Sequence, residues 1–165
     1  MEPSNFLKGI LINYGVPGCG KTYLSNDIIK SLPTYHPCFL IYIEIDEIEI
    51  FLSRNRFELQ DFLTKFEIFF EEMHIQKNVI RIGNFLKNSD KKEEMIREGE
   101  NFNKEEIQKY FFDNKNWKLA RDLSLLIAEK IMEFCECLKE SYIVILDDNF
   151  LLKSMRKKYY QLCNK

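Results

Sequence analysis

The residues with the clearest chemistry in this sequence lie near its amino terminus. Residues 15–22 read GVPGCGKT and fit the pattern G-x-x-x-x-G-K-S/T of a loop that binds nucleotide phosphates. Glycines let such a loop wrap an anion with its backbone N–H groups, and the helix that follows adds the positive end of its dipole. Lysine then neutralises the β and γ phosphates, and the threonine hydroxyl binds Mg²⁺. We therefore predict ATP and Mg²⁺ as ligands of Gly15, Gly18, Cys19, Gly20, Lys21 and Thr22.

Three aspartates follow apolar runs and could complete such a site. Asp147 and Asp148 come directly after YIVIL, and P-loop enzymes hold magnesium with a carboxylate at the carboxyl end of a neighbouring strand. Asp46 follows CFLIYIEI, at the edge of the sheet where open α/β folds bind ligands. There it could accept the proton of a hydroxyl that attacks the γ phosphate. Helix-cap and turn roles suit these residues as well, and for Asp46 the residues alone leave base and cap open.

The elements that would position these groups follow from hydrophobic patterning. Residues 9–14 are predicted as a buried strand and residues 20–31 as a helix, after which prolines break the pattern. Residues 38–45 and 142–146 are rich in β-branched and aromatic side chains and predict a second and a third strand. A helix between two strands makes a βαβ unit, so the sheet is predicted to be parallel. The fold class is α/β, a P-loop kinase type of parallel sheet flanked by helices.

Two amphipathic helices and a polar segment occupy the middle of the chain. Apolar residues at intervals of three and four predict a core-facing helix over residues 57–73 and a longer helix from Trp117 to Leu138. Residues 86–116 are polar with mixed charge, which predicts an insertion that is either mobile or loosely helical. A final helix is predicted around Met155, Tyr159 and Leu162. By the usual size of domains, residues 1–165 form a single domain.

Composition excludes several classes of protein. The formal net charge is −2, so a nucleic acid would have to meet a local basic patch, such as Lys153, Arg156, Lys157 and Lys158. This cluster fits a solvated helix face equally well. Five cysteines without a C-x-x-C pair and two isolated histidines, His36 and His74, indicate neither a disulfide framework nor a zinc site. No signal peptide and no membrane-spanning run is found, so we expect a cytoplasmic protein without a membrane partner.

The carboxyl-terminal stretch suggests a family. Residues 144–163, VILDDNFLLKSMRKKYYQLC, resemble the signature of L-seryl-tRNA(Sec) kinases, in which a strand ends in two aspartates and an aromatic-containing turn precedes a helix opened by Ser-Met-Arg. The sequence GVPGCGKT is similar to the phosphate loop of that family, including its proline. The resemblance covers about residues 9–50 and 117–163.

The resemblance implies a reaction and roles for particular residues. Such kinases transfer the γ phosphate of ATP to the serine hydroxyl of seryl-tRNA(Sec), giving the O-phosphoseryl-tRNA from which selenocysteine is made. By position, Lys21 and Thr22 correspond to the ATP and Mg²⁺ loop, together with Gly18 and Gly20. Asp46 corresponds to the catalytic aspartate, and Asp147 to the acid on the magnesium side. The implied partner is therefore seryl-tRNA(Sec).

Two departures from the family limit what the resemblance implies. Glu49 stands where some members carry an arginine. Family kinases also continue with another strand, a lid that carries arginines and a tRNA-binding domain. The fold is therefore expected to be incomplete at its carboxyl end, and the 165-residue chain to be weakly active or inactive by itself.

Other functions remain open from the sequence. The related P-loop ATPase that serves Elongator-dependent tRNA modification shares the loop and the aspartate after the second strand, although Ser-Met-Arg argues against it. A small-metabolite or nucleoside kinase and a nucleotide-binding remnant without turnover are further alternatives. The oligomeric state is open as well, and a homodimer is compatible with the sequence.

Overall fold

A computed structural model describes residues 7–35, 38–54, 58–76, 79–87, 114–150 and 152–164, apart from the side chains of residues 33–35 and 74–76. The elements alternate between strands and helices along the chain. In order they are β1 (Lys8–Asn13), α1 (Lys21–Tyr35), β2 (Phe39–Glu44), α2 (Ile45–Arg54), α3 (Leu59–Gln76), β3 (Val79–Arg81), α4 (Asn114–Leu138), β4 (Tyr142–Asp147) and α5 (Lys153–Leu162). A short helical segment, residues 82–87, follows β3.

The described strands form one parallel sheet in the order β1-β4-β2-β3. This confirms the predicted α/β class with a parallel sheet and helices packed on it. In the central strand β4, Ile143 pairs with Gly9 of β1 on one side and with Leu40 of β2 on the other. Because parallel strands end at the same edge, this arrangement brings the residues after β1, β2 and β4 together.

Alternation along the strands gives the sheet two different faces. Ile41 and Ile43 of β2 point to the larger cluster of buried side chains, which also includes residues of α2, α3, α4 and α5; we call this side the aromatic face. Leu40 and Tyr42 point to a smaller cluster with Ile29 of α1, and we call this side the α1 face.

Phenylalanines dominate the contacts between α3 and the rest of the aromatic face. Phe62, Phe66 and Phe70 are all buried, at 1 to 4% exposure. Phe85 meets Phe62 edge-on at 5.3 Å and Phe66 edge-on at 5.7 Å between ring centroids. Such edge-to-face pairs suit the charge distribution of aromatic rings. The predicted core-facing stripe of residues 57–73 is confirmed from Phe62 onward, whereas Leu59 in the first turn of α3 is 47% exposed.

Several details of the predicted elements are wrong: a strand was missed, one strand is less buried than predicted, and two boundaries differ. The sheet has a fourth strand, β3, whose three residues are too short to give an alternating pattern. Strand β1 is half-buried, with Leu11 38% exposed, because only β4 pairs with it among the described strands. Helix α1 continues past Pro33 to Tyr35. Helix α2 starts at Ile45, so the preceding strand is shorter than predicted.

The predicted insertion, residues 86–116, lies mostly outside the described residues. At its start Leu86 is buried at 2% exposure, and at its end α4 already begins at Asn114, so the polar segment is shorter than predicted. The five cysteines are free thiols. His36 lies outside the described residues, as does the side chain of His74. Of the helices in the described ranges, none is both long and apolar enough to cross a membrane.

Candidate functional site

The 15–22 loop connects β1 to α1 at the carboxyl edge of the sheet. Gly18 and Gly20 have φ angles of +78° and +87°, values that glycine adopts without strain and that side chains disfavour. The backbone N–H of Gly15 donates to the carbonyl of Asn149 at 3.3 Å, which ties the start of the loop to the segment after β4. The loop therefore has the strand, turn and helix context that its sequence pattern requires.

Cys19 lies between the two glycines Gly18 and Gly20 of this loop. Its backbone N–H donates to the carbonyl of Val16 at 3.3 Å, and its thiol is exposed. A methyl group at Gly15 would approach the Cys19 sulfur to 2.7 Å, closer than any ordinary contact. Both residues thus contribute to the shape of the loop.

The Lys21 ammonium group spans the 15–22 loop. Its Nζ donates to the carbonyls of Gly15 at 3.1 Å and Val16 at 3.0 Å, and to the side-chain oxygen of Asn149 at 3.2 Å. All three partners are neutral oxygens. Phosphate oxygens would be stronger acceptors for this cation, because they carry negative charge and add Coulombic attraction that neutral oxygens lack.

Thr22 and Asp147 are joined across the gap between α1 and β4. The Thr22 hydroxyl donates to Asp147 Oδ2 at 3.0 Å, and the Tyr42 hydroxyl donates to the same oxygen at 2.6 Å. A hydroxyl that donates its single proton keeps its lone pairs for a cation. The pair is therefore suited to a small, oxygen-preferring cation.

The two adjacent aspartates serve opposite faces of the sheet. Asp147 is the last residue of β4 and points to the α1 face, where Thr22 binds it. Asp148 points to the aromatic face and forms a salt bridge with Arg121 of α4, both side chains being largely buried at 3% and 14% exposure. The Arg121 guanidinium also lies over the Trp117 ring, 3.7 Å from its centroid. Burial raises the pKa of Asp148, and Arg121 opposes that shift.

Asp46 lies in the first turn of α2, not at the end of a strand as predicted, and its side chain is exposed. The expected position at the carboxyl edge of the sheet holds, because α2 follows β2 without a gap. Partial burial raises the pKa of Asp46, and the Asp147 charge raises it further, while Arg121 and Lys21 lower it. The charges of the 15–22 loop, of β4 and of α4 therefore act on this carboxylate together.

Sequence reasoning missed three residues of this site. Tyr42 and Asn149 bond directly to predicted site residues, and Arg121 neutralises Asp148. Glu49 is buried at 5% exposure, and its Oε1 has no hydrogen-bond partner among the described residues. Strand alternation could have indicated that Tyr42 shares a face with α1. No pattern in the sequence indicated Arg121, which comes from a distant helix.

The basic cluster of α5 is partly committed to contacts within the protein. Arg156 donates to the carbonyl of Phe150 and lies over the ring of Tyr14, 4.4 Å from the ring centroid. Lys158 pairs with Asp122 at 2.6 Å. Tyr14 directly precedes the 15–22 loop, so these contacts attach α5 to the start of that loop.

The oxygen donors at Thr22 and Asp147 fit a magnesium ion that is bound together with nucleotide phosphates. Within the described ranges, no group of three or more His, Cys, Asp or Glu side chains is placed to hold a metal. Magnesium takes few protein ligands at such sites, since it usually keeps several waters and binds one or two side chains plus phosphate oxygens.

Comparisons with known proteins add no family assignment. No protein-family model, no curated protein and no solved structure matches this chain.

Proposed function

We propose that this protein is an ATP-dependent phosphotransferase, and that its acceptor is the serine hydroxyl of seryl-tRNA(Sec). The observation that carries the proposal is a combination of two contacts. Lys21 bonds across its own glycine-rich loop, and the next residue, Thr22, bonds to Asp147 on the strand adjacent to β1. A chance match of the loop sequence would not require an acid at that position. The parallel sheet and its carboxyl edge supply the setting in which such sites occur.

The nucleotide part of the proposal rests on charge and backbone geometry. Backbone N–H groups of the 15–22 loop other than those of Gly15 and Cys19, which donate within the protein, would hold the phosphates, and Lys21 would exchange its neutral acceptors for phosphate oxygens. The first helical hydrogen bond of α1 joins the Leu24 N–H to the Gly20 carbonyl at 3.0 Å, so the helix amino terminus starts at the loop. Its free N–H groups and dipole favour negative charge at this point.

Thr22 and Asp147 are the residues that would hold Mg²⁺, the threonine through its hydroxyl oxygen and the aspartate directly or through water. When bound, the ion neutralises charge that develops on the β and γ phosphate oxygens. Asp147 retains its bonds to Thr22 and Tyr42 on one oxygen, and its Oδ1 accepts no hydrogen bond from the described residues.

Asp46 is the proposed general base. It accepts the proton of the acceptor hydroxyl on a carboxylate oxygen while the hydroxyl oxygen attacks the γ phosphorus and the bond to the leaving ADP breaks. Its raised pKa, caused chiefly by partial desolvation, makes it a better proton acceptor than an ordinary aspartate. Its exposure leaves it accessible to a second substrate.

The acceptor is proposed from the resemblance of residues 144–163, and the structure describes how that stretch packs around Phe150. Phe150 is fully buried with a φ of +33°, an unfavourable value for an aromatic residue. Its ring meets the Tyr159 ring edge-on at 5.4 Å, and Arg156 bonds to its carbonyl. Phe150 and α5 are thus held together, and Arg156 of α5 contacts Tyr14 directly before the 15–22 loop.

Nucleotide binding is tested with Lys21→Ala against Lys30→Ala, since Lys30 is an exposed lysine further along α1. The affinity for ATP in the presence of Mg²⁺, measured by calorimetry, is expected to fall roughly 10- to 100-fold in the first variant and to stay unchanged in the second. Equal affinities in the two variants would refute the nucleotide site.

The acceptor is tested by incubating the chain, at a concentration equal to that of the RNA so that weak transfer is measurable, with γ-labelled ATP and seryl-tRNA(Sec). Label on the aminoacyl serine, lost in Asp46→Asn, supports the kinase. Label released as phosphate only would favour the ATPase alternative, and label on a low-molecular-weight acceptor would favour a metabolite kinase. Binding of ATP without any transfer would leave a nucleotide-binding protein without turnover.

A further inference from the structure

Tyr42 occupies a position beside the proposed magnesium acid that no sequence pattern assigned. It lies on β2 with its side chain on the α1 face and is fully buried. Its hydroxyl donates to Asp147 Oδ2 at 2.6 Å, the same oxygen that accepts from Thr22. Two hydroxyl donors on one carboxylate oxygen fix the rotation of the carboxyl group and direct the other oxygen elsewhere.

The Tyr42 ring is itself held in place from the neighbouring strand. The Arg81 guanidinium of β3 lies over the ring, 4.9 Å from its centroid. Arg81 also donates to the side-chain oxygen of Asn26 on α1 at 2.5 Å. The phenol is therefore fixed between β3 and β4, and it has little freedom to leave Asp147.

We propose that Tyr42 is a positioning residue for the metal: its hydroxyl orients the Asp147 carboxylate so that Asp147 and Thr22 together present oxygens to Mg²⁺. This inference rests on the proposed nucleotide site and adds to it a residue that touches neither phosphate nor metal. Groups that orient a metal ligand commonly affect metal affinity by 10- to 100-fold.

A buried tyrosine hydroxyl can also serve stability alone, and the chain contains a matched example. Tyr142 is buried at 1% exposure at the start of β4, the opposite end of the strand that carries Asp147. Its hydroxyl donates to Glu136 at 3.1 Å. Tyr142→Phe therefore removes a buried hydroxyl with a carboxylate partner and leaves the proposed metal site untouched.

The experiment compares Tyr42→Phe with Tyr142→Phe in the full chain. Mn²⁺ replaces Mg²⁺ as the probe, and its affinity for the protein with bound ADP is measured by electron paramagnetic resonance. Thermal melting verifies that both variants are folded. We expect Tyr42→Phe to weaken Mn²⁺ binding about 10-fold and to leave the affinity for ADP in EDTA unchanged. Tyr142→Phe should change neither.

A second pair of variants tests whether Tyr42 acts through Asp147. In the Asp147→Asn background the Tyr42→Phe substitution should cause no further loss of Mn²⁺ affinity, because the group that it orients no longer ligates the metal. Independent, multiplying losses would overturn the proposal, as would equal Mn²⁺ affinities in Tyr42→Phe and Tyr142→Phe.

These outcomes are distinct from a failure of the proposed function. If ADP binds and Lys21→Ala abolishes that binding, the nucleotide site stands whatever the result for Tyr42. If the unmodified chain binds neither ADP nor Mn²⁺, both the site and the positioning role are overturned.

Discussion

The aromatic face and the α1 face are built on the same four strands but from different kinds of side chain. The aromatic face is packed by phenylalanines of α3 and aliphatic residues of α2 and α4. The α1 face has a small apolar cluster and, at its carboxyl end, a polar network of Thr22, Tyr42 and Asp147.

This difference indicates how stability and chemistry are divided. Burial of apolar surface on the aromatic face supplies most of the stabilisation, because hydrophobic free energy scales with buried area. The polar network contributes little net stability, since each of its hydrogen bonds replaces a bond to water. Substitutions on the first face should therefore change the free energy of unfolding, and those on the second chiefly ligand binding.

The largest effect is expected from Phe66→Ala in the centre of α3. Phe66 is 1% exposed and contacts the rings of Phe62, Phe70 and Phe85. We expect the free energy of unfolding to fall by about 3–5 kcal/mol, from lost burial and from the cavity that remains. Urea denaturation measures this loss.

Ile68→Ala is the control for Phe66, because Ile68 lies on the same helix and is 54% exposed. Its effect should stay within about 0.5 kcal/mol. Similar losses in the two variants would contradict the assignment of stability to the aromatic face.

The elements of the aromatic face could be predicted because their signals are local. The spacing of Phe62, Phe66 and Phe70 indicates a helix and its buried side, and residues 142–146 indicate a strand. Strand β3 escaped prediction because its three residues, which begin at Val79, leave no room for a period. Its place in the sheet is decided by its partner β2 and not by its own composition.

The second prediction concerns Arg121→Met. It tests the ion pair with Asp148, which lies next to Asp147 where β4 ends and the two faces of the sheet meet. The substitution leaves the buried Asp148 carboxylate without its cation, and the loss of one partner from a buried ion pair is strongly destabilising. We expect a loss of about 3 kcal/mol at neutral pH. The loss should shrink as the pH is lowered and Asp148 becomes protonated.

Two variants accompany Arg121→Met. Adding Asp148→Asn should recover most of the stability, because it removes the stranded charge. Lys118→Met removes an exposed cation from the same helix and should have no effect. A loss that neither pH nor the second substitution relieves would show that Arg121 acts by packing on Trp117 and not by charge.

The candidate site was only partly predictable for a related reason. The 15–22 loop and Asp147 follow from motif and strand position, which are properties of neighbouring residues in the chain. Arg121 and Tyr42 reach the site through pairing of distant elements, and the sequence does not state which helix packs beside Asp148. Asp46 was placed correctly at the edge but in the wrong element, because boundaries between adjoining elements depend on one or two residues.

A comparison of Gly20→Ala with Gly9→Ala separates the effect of backbone conformation from the effect of steric contacts. A methyl group added at either glycine would meet no heavy atom within 4 Å, but only Gly20 has a positive φ, +87°. We expect Gly20→Ala to lower the free energy of unfolding by roughly 1–2 kcal/mol. If the loop changes its conformation instead, the substitution should weaken nucleotide binding. Gly9→Ala should be neutral or stabilising by up to about 1 kcal/mol. Equal melting temperatures and equal ATP affinities in the two variants would contradict the inference that the loop requires glycine at position 20.

The smallest effect on stability is expected for Asp46→Asn. This substitution should raise the stability of the protein but lower its proposed activity. Burial raises the pKa of Asp46 above the ordinary value of 3.8, so the folded state holds a proton more tightly than the unfolded state does. Above the folded-state pKa the ionised carboxylate therefore opposes folding, and Asp46→Asn should raise the melting temperature. The gain is no more than about 1 kcal/mol, because solvent screens an exposed group.

This gain should shrink as the pH falls through the folded-state pKa and be absent well below 3.8, where the aspartate is protonated in the folded and in the unfolded state. Asp27→Asn, at an exposed aspartate of α1, provides the control for loss of a charge. A stabilised Asp46→Asn variant that also loses phosphoryl transfer would mean that the aspartate is retained for chemistry at the expense of stability. A destabilised variant would instead return Asp46 to an ordinary structural role in the first turn of α2.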